Sequence, residues 1–221
     1  MQQFLDIFRD LPGFLDGFIA SHGPWVYGLL FAIIFAETGL VVAPFLPGDS
    51  LLFTVGALCA RGSMTLWIAS VLLVVAAILG DAVNYHLGKW IGPRVFRNEL
   101  TDTFWKRALN RKHLDRAHEF YEKYGGKAVI LGRFIPIVRT FVPFVAGAGA
   151  MNYSKFVLYN ISGAVLWIGV CIGAGYLFGN IPWVNANFEA VIIGIIVVSL
   201  IPVAVEWVLA RRRARATGST L

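Results

Sequence analysis

Glu37, Asp49, Arg133 and Arg139 are the residues of this chain best suited to chemistry, because each stands in an otherwise apolar stretch. Arginine's planar guanidinium matches phosphate with paired hydrogen bonds and stays charged at any working pH. A carboxylate beside it competes for the same donors. A proton on Glu37 or Asp49 would therefore free the arginines, and an incoming proton could drive anion binding on one side and release on the other. The same four charges would also serve as a static salt-bridge cluster tying two segments together. Pro44, Pro47, Pro136 and Pro143 are candidates for the lining of a cavity, as are Asp81, Asn84 and Tyr85, although packing explains those last three better. The four histidines and two cysteines have no metal-ligand spacing, and no cofactor motif is present. No nucleophile is paired with a histidine, so hydrolysis is the least supported chemistry.

The elements that must hold these charges are apolar. The chain is 57% hydrophobic and 14% charged, against about 25% charged in soluble domains. Uncharged runs cover Gly62 to Gly80, Phe156 to Phe188 and Ala190 to Val205, and about 20 apolar residues span a bilayer. This predicts an all-α membrane protein with full spans over 64–92, 156–179 and 188–210. Gly80, Asn84, Gly88 and Gly92 recur every four residues and predict a small face for close helix packing. Gly169, Gly173, Gly175 and Gly179 predict packing points on the second span. Residues 1–22 read as an amphipathic segment in the interface.

Two segments fit no straight span. Residues 25–60 carry Glu37 and then the break Pro44-Phe-Leu-Pro47-Gly-Asp49, followed by only 11 uncharged residues, Ser50 to Ala60. Residues 128–153 carry two arginines and two prolines. Each reads as a re-entrant hairpin, since broken backbone at membrane depth is tolerated only where protein or a wet cavity surrounds it. Residues 93–127 form a basic amphipathic loop with nine Lys/Arg against five acids, and residues 211–221 a basic tail. Both are expected in the cytoplasm. The net charge of +6 thus reports topology and anionic lipid rather than nucleic acid.

The two hairpins also resemble each other. Pro44-x-x-Pro47 precedes Gly56-Ala57 as Pro136-x-x-Arg139 precedes Gly147-Ala148. The following spans end in Tyr85-His-Leu-Gly88 and Tyr176-Leu-Phe-Gly179, 91 residues apart. With the first hairpin opening outward and the second toward the cytoplasm, the halves would be inverted repeats whose broken helices face each other, a transporter design.

Several motifs together resemble the bacterial DedA family over about residues 20–210. They are Glu37-Thr-Gly, Pro44-Phe-Leu-Pro-Gly-Asp49-Ser-Leu-Leu-Phe, Gly80-Asp-Ala-Val-Asn-Tyr85, Tyr121-Glu-Lys-Tyr-Gly-Gly-Lys127 and Gly132-Arg-Phe-Ile-Pro-Ile-Val-Arg139-Thr-Phe-Val-Pro-Phe-Val-Ala-Gly147. The resemblance implies a non-enzymatic lipid translocase of the bacterial inner membrane, linked to proton motive force and related to eukaryotic lipid scramblases. It implies undecaprenyl phosphate as the substrate, recycled from the outer to the cytoplasmic leaflet. Arg133 and Arg139 match the family's essential arginines and would hold the phosphate; Glu37 and Asp49 match its essential acids and would couple to protons. A proton-coupled exchanger of small ions or drugs, or a general phospholipid scramblase, are the alternatives.

Overall fold

The computed structural model describes residues 17, 19, 21–40, 48–96, 111–179, 181, 184, 190 and 194. The breaks at Pro44 and Pro47, the last expected span and the basic tail fall wholly or mostly outside them, as does most of the N-terminal segment. Among the described residues every regular element is helical: α1 (Trp25–Gly39), α2 (Gly48–Ala60), α3 (Leu66–Phe96), α4 (Arg111–Tyr124), α5 (Ala128–Leu131), α6 (Pro136–Ala148) and α7 (Tyr153–Phe178). Single 3-10 turns, Gly125–Lys127 and Gly132–Phe134, flank α5.

Two of these helices are long and apolar enough to cross a membrane, α3 over Leu66–Gly92 and α7. They begin within three residues of the expected spans. At 1.5 Å per residue the 15 residues of α1 and the 13 of α2 and of α6 rise only about 20 Å, short of a hydrocarbon core of about 30 Å. Helix α4 carries its apolar side chains on one face. Ala117 is buried and Phe120 and Tyr121 are half-buried, packed against α6 and its neighbours.

Helix ends follow from local chemistry. Asn152 caps α7, its Oδ1 accepting from the amides of Ser154 (3.0 Å) and Lys155 (3.4 Å). Ile135 is extended, as a residue preceding proline tends to be, and Pro136 opens α6, where its missing N–H is no loss. Pro143 sits inside α6. It cannot donate to the carbonyl of Arg139, four residues earlier.

The helices pack in a reciprocal pattern. The long helix α3 lies on the short helix α6, and the long helix α7 on the short helix α2. Glycine makes both approaches possible. A Cβ on Gly88 would lie 2.0 Å from the Phe144 oxygen, and one on Gly147 2.0 Å from the Tyr85 oxygen. At the other interface a Cβ on Gly175 would lie 2.0 Å from the Phe53 oxygen, and one on Gly56 2.2 Å from the Ile172 oxygen.

Phe53 and Phe144, like Gly56 and Gly147, are separated by the expected 91 positions. The partners on the long helices are not. Gly88 corresponds to Gly175 and Gly92 to Gly179, a separation of 87 and so about one helical turn from the match of the tails. The tails share residue types, but contact geometry selects the glycine one turn earlier.

The expected small face of α3 holds. Gly80 meets Thr38 and Phe35 of α1, and Gly92 meets Ala148 of α6. That of α7 is corrected: Gly169 and Gly173 meet nothing within 4 Å among the described residues, and only Gly175 and Gly179 pack closely. At 3.6 residues per turn, positions six and two before Gly175 lie on other faces of the helix.

Candidate functional site

The charged side chains gather where these helices cross. Glu37 stands in the last turn of α1, which meets α3 through Gly39 and Gly80. That crossing sets Glu37 at the level of Asp81, midway along the apolar run of α3. Asp49 stands in the first turn of α2. The 3-10 turn Gly132–Phe134 carries Arg133, and the first turns of α6 carry Arg139. The extended residue Ile135 separates those two turns, so the arginines, six positions apart, point to different partners.

Arg139 forks between two acids. Its Nη2 donates to Glu37 Oε1 at 2.6 Å and its Nη1 to Asp49 Oδ1 at 2.7 Å. The same Asp49 oxygen accepts from Trp167 Nε1 at 2.9 Å. Arg133 pairs elsewhere: its Nη2 donates to Asp81 Oδ2 and, at 2.5 Å, to Asn160 Oδ1. The indole of Trp167 lies beside both cations, 4.8 Å from Arg139 Cζ and 5.9 Å from Arg133 Cζ. Such a face attracts a guanidinium.

Glu37, Asp81, Arg133, Arg139 and Asn160 are all buried, whereas the Asp49 side chain keeps 27% of its surface. Asp49 is thus the open edge of an otherwise enclosed cluster. Within the enclosure Arg133 Nε and Nη1, Asp81 Oδ1, Asn84 Oδ1 and Glu37 Oε2 have no side-chain hydrogen-bond partner among the described residues. Buried polar atoms are seldom left so. The guanidinium of Arg133 thus keeps two nitrogens that can donate to a further anionic or water oxygen.

A family profile described as the VTT domain matches residues 46–177. Protein DedA of Escherichia coli K12 is 48% identical over 212 residues, covering 95% of this chain and 94% of that protein. This chain belongs to the DedA family. It is a membrane protein of that family, one linked to membrane transport or lipid handling. An uncharacterized membrane protein of Mycobacterium leprae is 41% identical over 86% of this chain and 83% of its own length. The inner membrane protein YqjA of Escherichia coli K12 is 41% identical over 71% of this chain and 69% of its own. No solved structure matches it.

In this DedA-family chain the four charges expected to act together are brought together, with two corrections. Both acids go to Arg139, and Arg133 takes Asp81 instead. Asp81, read from the sequence as a packing residue, is therefore part of the charged cluster. It stands one residue beyond the face of Gly80, Asn84, Gly88 and Gly92, on the side that meets the 3-10 turn and α7.

Asn84 is structural: its Nδ2 donates to the carbonyls of Thr38 (3.2 Å) and Thr140 (2.7 Å), tying α1 and α6 to α3. Tyr85 packs against Phe156, and its hydroxyl donates to the Met151 carbonyl. Of the proline candidates, Pro136 and Pro143 shape α6, and Pro44 and Pro47 lie outside the described residues. Sequence reasoning missed Asn160 and Trp167. The signals were a single side-chain amide within α7, and a tryptophan halfway along that span, where Trp25, Trp67 and Trp90 are exposed and Trp167 is buried.

Proposed function

We propose that this protein is a proton-coupled translocase of a phosphate-bearing polyprenyl lipid, undecaprenyl phosphate. It returns the carrier from the outer to the cytoplasmic leaflet of the bacterial inner membrane. The observation that carries this reading is the enclosed set of three carboxylates and two guanidiniums at mid-length of α3 and α7. Counted as charges, that set is neutral when it holds one proton. A phosphate monoester brings one to two further negative charges. Uncompensated charge at bilayer depth costs several kcal/mol, so the headgroup enters with protons. Arg133 and Arg139 take the phosphate. Glu37 and Asp49 release Arg139 as they protonate, and the exposed edge at Asp49 admits the headgroup while the tail stays in lipid.

The reciprocal packing of α3 on α6 and α7 on α2 supports an inverted repeat, with α1–α2 and α5–α6 as facing re-entrant hairpins. The lengths of α1, α2 and α6 suit hairpins that turn back. In this topology the basic connector containing α4 and the basic C-terminal tail lie in the cytoplasm.

The test is reconstitution of the full chain in proteoliposomes with labelled undecaprenyl phosphate, with and without a pH gradient. The wild type moves the label and the gradient accelerates it; Arg139→Ala and Glu37→Gln abolish the acceleration. Movement of phosphatidylethanolamine at the same rate without a gradient would instead establish a general scramblase. Gradient-driven flux of small ions with no lipid substrate would establish an exchanger.

A further inference from the structure

We propose that Arg133, Asp81 and Asn160 form a second anion subsite, separate from Arg139, whose opening requires a proton on Asp81. The proposal rests on the translocase reading above and assigns a third acid to it. Three observations point there. Arg133 and Arg139 share no carboxylate: the acids of α1 and α2 both go to Arg139, and the acid of α3 goes to Arg133 alone. Arg133 is already held from two sides by groups on one nitrogen, leaving Nε and Nη1 buried and without a hydrogen-bond partner among the described residues. Asp81 leaves Oδ1 idle in the same enclosure.

Asn160 fixes the geometry. Its Nδ2 donates to the Ile78 carbonyl at 3.1 Å, so its oxygen must face Arg133. Gly163 lets Arg133 lie close against α7, since a Cβ there would stand 3.0 Å from Arg133 Cδ and Nε. The guanidinium is thus held in place with one charged competitor, Asp81. Asp81 pairs with Arg133 on the 3-10 turn and lies in the field of Arg139 on α6, and Arg139 in turn holds Glu37 of α1 and Asp49 of α2. Helix α7 contributes the uncharged Asn160 and Trp167 and the thiol of Cys171, which lies in the field of Arg139, Asp49 and Glu37.

At rest Asp81 and Arg133 cancel. When a phosphate oxygen arrives at Nε and Nη1, two anions share one cation. A proton on Asp81 Oδ1 removes the surplus and loosens the contact of Oδ2 with Nη2. The headgroup therefore occupies two places in turn, Arg139 at the open edge and Arg133 in the interior, with the Trp167 indole beside both. Each place takes up its own proton.

The experiment counts those protons. The purified full chain in detergent is titrated with undecaprenyl phosphate by calorimetry in buffers of differing ionisation enthalpy. Asp81→Asn takes up one proton fewer per lipid bound than the wild type. It also binds about tenfold tighter at alkaline pH, since a charge-assisted competitor for Arg133 is gone. Asp81→Glu restores the wild-type count. An Asp81→Asn protein that takes up as many protons as the wild type overturns the proposal.

If Asp81→Asn is not monodisperse, infrared difference spectra of the wild type and Asp81→Glu on lipid addition decide. A protonated-carboxyl band that shifts in Asp81→Glu supports the subsite, and an unshifted or absent band overturns it. A wild type that binds no undecaprenyl phosphate refutes the translocase reading, and this proposal falls with it. A wild type that binds normally beside an unaltered Asp81→Asn refutes this proposal alone.

Discussion

Adding one methyl group to Gly88 tests whether the crossing of α3 and α6 sets the charged site. A Cβ there falls 2.0 Å from the Phe144 oxygen, whereas ordinary van der Waals contact begins at 3.4 Å. The neighbouring atoms are backbone, so no side chain can rotate away. The two helices must separate by about 1.4 Å. That shift carries Arg139 and Thr140 on α6 away from Asn84 on α3, whose amide reaches Thr140 at 2.7 Å. It also strains the 2.6 Å contact between Arg139 and Glu37.

Overpacking of this kind costs about 1–3 kcal/mol, a fall of roughly 2–12 °C in melting temperature for a chain of this size. Gly175→Ala, against the Phe53 oxygen, is expected to do the same at the crossing of α7 with α2. Gly28→Ala and Gly173→Ala are the controls. Both glycines meet nothing within 4 Å among the described residues, so alanine should be neutral or stabilise by about 0.5–1 kcal/mol through helix propensity. Thermal unfolding of the purified proteins in one detergent, followed by fluorescence, measures all four. If Gly88→Ala melts with Gly173→Ala and transports normally, close packing at this crossing does not hold the site.

Arg139→Lys keeps the charge, but an ammonium is a point charge on a flexible stem and cannot reproduce the planar fork. It should fold yet lose at least tenfold in gradient-driven lipid movement in proteoliposomes. Trp167→Phe keeps a ring beside Arg139 but removes the donor to Asp49. Stability should fall by about 1 kcal/mol, and Trp167→Ala should cost about 3–5 kcal/mol as a buried cavity opens, both read from melting curves. Asn152→Ala removes the cap of α7 and should cost about 1 kcal/mol, again by thermal unfolding, with the pH dependence of transport unchanged.

The sequence carried the elements because their causes are local. Uncharged runs of sufficient length produced α3 and α7, and the proline at 136 produced the break between Arg133 and Arg139. The four-residue glycine spacing of α3 marked its packing face. It failed on α7, where four glycines in eleven residues look alike until a neighbour selects Gly175 and Gly179. Asn160 was legible only as an oddity. It stands in an Asn-Ile-Ser triplet, and its role appears once Arg133 is beside it.

By itself the sequence determined that ionised groups sit within apolar helices, that they are acids and arginines, and that such groups must find one another. The cost of an unpaired charge in hydrocarbon depends on composition and depth alone. Tertiary structure decided the pairing: Glu37 and Asp49 on Arg139, Asp81 on Arg133, and Trp167 beside both cations. Partner choice depends on the crossing of α1 with α3 at Gly39 and Gly80 and on the turn between two arginines six positions apart. A shift of one helical turn in either would move these side chains off their present partners, and residue types are blind to that shift.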